Sequence, residues 1–314
     1  MSLDLTPPPK RSGRILVIRG GAIGDFIVTL PVFAALRRHF PTINLEVMGY
    51  PHIASLASID GTVDRVIPID SRPLAGFFAR KGDLDTGISE HFASCDVIFS
   101  YLFDPDEIFR TNIGRVTQAQ VIQAPHRPFE TSPMSAASQL LVPLERLAIF
   151  DADPVPRIVL PIPPTRKRNL IGLHSGSGSA LKNWPIECWS VFIESLIAQT
   201  SHDLMLIGGE AERDALERLA PLIPFNRLQI AKNCSLPDLA RELASCGSFI
   251  GHDSGITHLA AAVGTPVLAL WGPSKELIWR PGGDAVQTLS HPSGLLSIEP
   301  AEVFRHFRLF TQIP

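Results

Sequence analysis

No apolar run in the 314-residue chain approaches the roughly 20 residues that a membrane span needs. The start, MSLDLTPPPK, lacks the basic-then-apolar pattern of a secretion signal and reads as a proline-rich lead-in. Four cysteines (Cys95, Cys188, Cys234, Cys246) contain no CxxC and no metal-ligand spacing, so neither a disulfide framework nor a zinc site is indicated. Such scattered cysteines are expected to be reduced and mostly buried. A net charge of −3 offers no electrostatic case for nucleic acid. Lysine is scarce, 6 against 22 arginines, so each lysine carries a little more information than usual. HExxH and GxSxG are absent, so no metal site or serine nucleophile is expected. The expected location is the cytoplasm, at most peripheral on a membrane's cytosolic face.

What the chain does have is strands alternating with helices, which means parallel βαβ units. Its two halves open alike. The first begins at Arg14 with ILVIR, then the loop GGAIGD and a helix expected from Phe26 to His39, irregular at Pro31. INLEVMGY, VDRVIPI and CDVIFSY read as further strands. The second half begins with NLIGLHSG, a Gly/Ser-rich loop and a helix starting at Pro185. DLMLIGG, SFIG and PVLALWG read as its strands. Between the halves the proline-dense stretch resists helix and central strand alike, which puts a linker at 161–168. The expected domains are 13–160 and 169–296, with a terminal helix over 297–314, capped by Ser297, returning toward the first domain.

Three loops carry candidate chemistry. The most informative runs Gly251-His252-Asp253-Ser254-Gly255-Ile256-Thr257-His258: an apolar strand, a polar loop, then an apolar helix ending at Gly264. A helix N-terminus at the carboxyl end of a strand offers free N–H groups and a positive dipole end, a seat for phosphate. Simple capping by Asp253 or Ser254 is the plainer alternative. In the first loop GxGxxG fails, because position 19 is Arg, and no acid ends the second strand to hold a ribose. That loop (Gly20, Gly21, Gly24) instead puts Asp25 at a helix start, as a helix cap or a general base. The third, Ser175-Gly176-Ser177-Gly178-Ser179, precedes Lys182; it is no Walker loop, yet its small residues and lysine suit phosphate oxygens. Glu210, after the strand LMLI, could accept from a ribose or simply sit in solvent at a helix start. Trp184 is expected to pack beneath the lysine loop, and His252 to point into the sheet.

Together these pieces resemble glycosyltransferase family 9, the heptosyltransferases of the lipopolysaccharide inner core. The resemblance lies in ILVIRGGAIGDFIVTLPVFAALRRHFP, LKNWPIECW and FIGHDSGITHLAAAVGTPVLALWGP, in family order across most of 14–275. It implies an α/β fold of GT-B type, two doubly wound Rossmann-like domains facing across a cleft. It also implies an inverting transferase needing no metal and no cofactor, which takes a nucleotide-diphosphate sugar, typically ADP-heptose, as substrate. Matched by position, Asp25 falls on the general base, with Gly21 and Gly24 in the loop near donor and acceptor. Lys182 falls on the donor-phosphate lysine, and Ser177 and Gly178 on its loop. Asp253, Ser254, Gly255 and His258 fall on the segment that grips diphosphate and sugar, Glu210 on the ribose acid, and Cys234 on the base-pocket lining. The implied acceptor is a glycan or glycolipid, in the cytoplasm or in peripheral contact with the inner membrane. The basic residues of the first half (Arg72, Arg80, Lys81, Arg110, Arg115, Arg127) form no dense cluster, which favours a glycan poorer in phosphate than the lipopolysaccharide core. A nucleotide-sugar epimerase or hydrolase would consume donor without acceptor. A non-catalytic binding protein would be indifferent to Asp25→Asn.

Overall fold

The computed structural model describes residues 13–311, so the proline-rich lead-in lies outside them. The chain divides into two compact units. The first takes the residues up to Gly21, Pro31–Arg127 and Leu140–Asp153; the second takes Ala22–Leu30, Pro128–Gln139 and everything from Pro154. No helix among the described residues is long and apolar enough to cross a membrane.

After β1 (Arg14–Ile18) come two helices, α1 (Ile23–Ile27) and α2 (Leu30–His39), where the sequence predicts one. Pro31 explains the break: it has no N–H for the Ile27 carbonyl, and its ring would collide with that carbonyl in a continuous helix. The chain answers with a tight turn in which Thr29 N bonds Phe26 O at 2.9 Å. The Asp25 carbonyl, freed by the turn, accepts Thr29 Oγ1 at 2.8 Å. β2 (Asn44–Gly49), β3 (Arg65–Pro68), β4 (Val97–Ser100) and β5 (Gln120–Gln123) complete a parallel sheet of order β3-β2-β1-β4-β5. Its strands are apolar where they face the core, and Leu16, Ile18, Met48 and Ile98 pack against Phe77, Phe92 and Phe109.

The second unit's sheet is β6 (Lys167–His174), β7 (Asp203–Gly208), β8 (Leu228–Lys232), β9 (Cys246–His252), β10 (Val267–Leu270) and β11 (Val286–Leu289). All are parallel, in the order β11-β10-β9-β6-β7-β8. Counted from β6 this is the 3-2-1-4-5-6 arrangement of dinucleotide-binding folds, with the order reversing between β6 and β9. Its helices include α3 (Ile186–Gln199), α4 (Arg213–Leu219), α5 (Leu236–Ser245), α6 (Gly255–Ala262) and α7 (Pro300–Thr311).

Two boundaries differ from the sequence reading. The linker expected at 161–168 ends sooner, since β6 already starts at Lys167, and ahead of it Ile158 N bonds Ala262 O at 2.9 Å. The terminal helix packs on α3 within the second unit, sharing a cluster in which Val303, Phe304, Phe307 and Phe310 join Trp189, Phe192 and Leu196. Burying a side chain of that size stabilises by about 1.5–3 kcal/mol, which makes this contact hard to exchange for another. Its start is Pro300, at the favoured first helical position, while Ser297 ends a separate 3-10 turn.

Candidate active site

The loops leaving β6 and β9 diverge at the reversal point of the second sheet, and their side chains meet there. Lys182 Nζ lies 2.6 Å from Asp253 Oδ2. The aspartate side chain is 7% exposed and the lysine's 32%, so the pair is half sheltered, with its cation toward solvent. Ser254 caps α6, accepting Thr257 N at 3.3 Å, while Thr257 Oγ1 turns back to the His252 carbonyl. This cap leaves the first-turn N–H groups of an apolar helix directed at the same mouth.

His252 organises the lysine loop from below. It is fully buried; its Nε2 accepts Trp184 N at 3.0 Å, and its Nδ1 lies 3.4 Å from the Gly176 carbonyl. One imidazole therefore ties down both ends of the loop that carries Lys182. An acceptor at Nε2 requires the neutral ring, and burial presses its pKa down to about 3, with His174 as a further cause. Trp184 lies buried beneath the loop, its indole N–H bonded to the Ile298 carbonyl at 2.9 Å.

Asp25 reaches the same place by a route the sequence did not show. The sequence reading assigns it to the first domain, but α1 groups with the second unit, because Gly24 lies against Gly255 at the start of α6. A Cβ on Gly255 would stand 2.7 Å from Ile23 Cβ and 2.9 Å from Gly24 N, so only glycine permits this approach. Asp25 Oδ2 accepts Ala22 N at 3.1 Å, which is the capping role expected of it. His258, on the first turns of α6, is buried with a pKa lowered to about 4. Burial is the main cause; Asp253 and Asp25 act to raise it, Lys182 to lower it, and the Trp279 carbonyl accepts a bond from its ring. Asp25, Lys182, Asp253, Ser254, Gly255 and His258 thus form one cluster.

The remaining expected residues are more scattered. Ser177 Oγ is occupied inside its own loop, 2.7 Å from Ser179 O and 2.6 Å from Asn183 Oδ1, whereas Gly178 is open to solvent. Glu210 is exposed. Glu212, two residues on, folds back instead, accepting Gly209 N at 2.8 Å and lying over Gly176, where a Cβ would meet its carboxylate at 2.2 Å. Its charge also bears on buried His174, whose pKa burial lowers to about 4. GGEAE offers two carboxylates, and only the backbone path selects between them. Cys234 is exposed just beyond β8, with β6 and β7 between that strand and β9; burial and nearby carboxylates raise its thiol pKa. Gly21 is exposed at φ +102°, in the left-handed region that favours glycine. Among the described residues no cluster of three His, Cys, Asp or Glu could hold a metal ion. Asp-x-Asp spacings occur at Asp83, Asp104 and Asp151, all in the first unit.

Comparison with known proteins bears on this constellation. Residues 145–295 match the family model of glycosyltransferase family 9 (heptosyltransferase). Lipopolysaccharide heptosyltransferase 3 of Escherichia coli is 22% identical over 294 residues, covering 82% of this chain and 83% of its own. A family 9 glycosyl transferase from Veillonella parvula superposes with a TM-score of 0.75 at 20% identity, covering 95% of this chain and 97% of its own. An E. coli heptosyltransferase solved with ADP gives the same TM-score at 18% identity, over 95% of this chain and 99% of its own. The fold is therefore the α/β arrangement of GT-B type.

Proposed function

Because the chain belongs to glycosyltransferase family 9, we propose that it transfers a sugar, heptose from ADP-heptose, to a hydroxyl of a glycan or of the lipopolysaccharide core. The observation that carries this reading is the meeting of Lys182, Asp253, the α6 N-terminus and Asp25 at the reversal point of the second sheet. In the proposed reaction an acceptor oxygen bonds to the anomeric carbon as the carbon–oxygen bond to the diphosphate breaks, its electron pair leaving with the phosphate. Negative charge then grows on the departing diphosphate. Lys182 and the first-turn N–H groups of α6 are fixed donors for it, needing no reorganisation as the charge develops. The proton of the attacking hydroxyl passes to Asp25. One displacement with one base inverts the anomeric centre, by the same logic as inverting hydrolysis.

Two side chains take modified parts in this proposal. His258 is neutral, and one ring nitrogen donates to the Trp279 carbonyl, so its other nitrogen is an acceptor, suited to a sugar hydroxyl and unsuited to phosphate. Glu212 replaces Glu210 as the carboxylate nearer the β6 and β7 mouths. No metal or cofactor is included, and the protein would work in the cytoplasm, in peripheral contact with the inner membrane when its acceptor is lipid-linked.

The test is thermal stability in EDTA with ADP, GDP, UDP and CDP, on the wild type and on Lys182→Ala. Stabilisation by ADP that falls in the variant, corresponding to at least a tenfold weaker affinity, is expected. Silence from every nucleotide, or an unchanged response in the variant, overturns the donor site.

A further inference from the structure

At the carboxyl ends of β4 and β5 the first unit holds a cavity of about 250 Å3 that has no part in the chemistry above. Its wall includes Phe103, a residue 70% exposed whose ring leans on the His126 ring, centroids 4.6 Å apart at 53°. A concave, mostly apolar wall with an aromatic ring and a few polar groups has the usual make-up of a small-molecule site. The wall is also held in shape. The His126 carbonyl accepts buried Arg19 Nη1 at 2.7 Å, and Gln123 Nε2 donates to the Leu102 carbonyl at 3.1 Å.

Charge decides what the cavity suits. Its one guanidinium, Arg110, already bonds Glu107 Oε1 at 3.1 Å. Asp104 adds a second carboxylate, accepting Phe109 N at 3.1 Å and Arg110 N at 2.9 Å. A carboxylate oxygen has more than one lone-pair site, so Asp104 and Glu107 can each still accept from a hydroxyl. Two carboxylates against one guanidinium leave the lining net negative, which disfavours a phosphate or a carboxylate ligand. A sugar ring without charge has the complementary chemistry: a C–H face for Phe103 and hydroxyls at its rim for the carboxylates and the Gln123 amide.

We propose that this cavity is a subsite for an uncharged saccharide ring of the acceptor, with Phe103 as its platform. The proposal rests on the glycosyl-transfer reading and deepens it, placing the acceptor among neutral glycans.

Maltose, lactose and cellobiose would be titrated by saturation-transfer NMR, with glucose against glucose 6-phosphate as the charge comparison, on the wild type, Phe103→Ala and Phe103→Tyr. At least one neutral disaccharide is expected to bind, about tenfold more weakly in Phe103→Ala and near normally in Phe103→Tyr. Glucose 6-phosphate is expected to bind more weakly than glucose. Absence of any neutral binding, binding indifferent to Phe103→Ala, or tighter binding of the phosphorylated sugar overturns the subsite. The variants should melt like the wild type, since the ring is exposed. Because these titrations contain no nucleotide, they fail separately from the donor reading: a wild type that ignores ADP yet binds sugar through Phe103 sinks the donor site and keeps this one.

Discussion

Two glycines face each other across the α1–α6 contact, and alanine should be harmful at one and harmless at the other. At Gly255 the added Cβ would stand 2.7 Å from Ile23 Cβ, 2.9 Å from Gly24 N and 3.0 Å from Ile23 Cγ2. Carbon atoms prefer about 3.5–4.0 Å, so α1 must withdraw by roughly 1 Å. Overpacking of this kind costs about 1–3 kcal/mol in stability. A 1 Å misplacement of a reacting group costs about 10²-fold in rate, and Asp25 travels with α1. At Gly24 the nearest atoms to a Cβ are Gly255 Cα at 3.7 Å and His258 Cδ2 at 3.8 Å, which is ordinary contact. Gly24→Ala should therefore keep its activity, and the better helix former should not lower stability. The assay is turnover of the proposed donor, ADP-heptose, with acceptor, alongside urea unfolding of both variants. Full turnover by Gly255→Ala, or equal damage from the two substitutions, would refute the argument that a close helix approach sets the position of Asp25.

Asp25→Asn should lose about 10²–10⁴-fold in turnover with donor affinity little changed; near wild-type turnover removes the base assignment. His252→Phe keeps an aromatic ring but strands the Trp184 N–H, so it should cost about 1–3 kcal/mol and weaken ADP binding; a fully stable variant with normal affinity contradicts the loop-anchoring role. Acid should destabilise the second unit. Buried His174, His252 and His258 have folded pKa values below the ordinary 6.5, so the unfolded chain binds more protons as pH falls from 6.5 toward 4. Their contribution is intact above 6.5 and lost going down, at about 1.4 kcal/mol per pH unit for each histidine. Urea unfolding that is flat between pH 7 and 5 would contradict it.

The parts of the fold visible in the sequence are those where one signal dominates. β9 and α6 could be read because SFIG and LAAAV are buried apolar runs separated by a capping serine. β5, β8 and β11 escaped notice because short edge strands alternate burial weakly: in QVIQ and LQIAK only one residue each is buried. Pro31 announced an irregular helix but not that the irregularity would separate two helices. The grouping of Asp25 with the second unit depends on Gly24 meeting Gly255, a contact between residues 231 positions apart that no local pattern encodes. That Glu212 and not Glu210 folds back over the loops has a similar reason: the two differ in backbone path, not in chemistry.

The Lys182–Asp253 pair gives the cluster an internal competitor. Any anion that claims the lysine must do better than a carboxylate already 2.6 Å away, on the same chain and at no cost in translational freedom. Chloride or a lone phosphate has little to offer in exchange, whereas a diphosphate can engage Lys182 and the α6 N–H groups together. In the proposed transfer the same carboxylate would be waiting when the sugar has gone, and by recapturing the lysine it would help loosen the spent nucleotide. An arrangement that looks like a plain resting ion pair would then act twice in each cycle, as a threshold on entry and as a spring on exit.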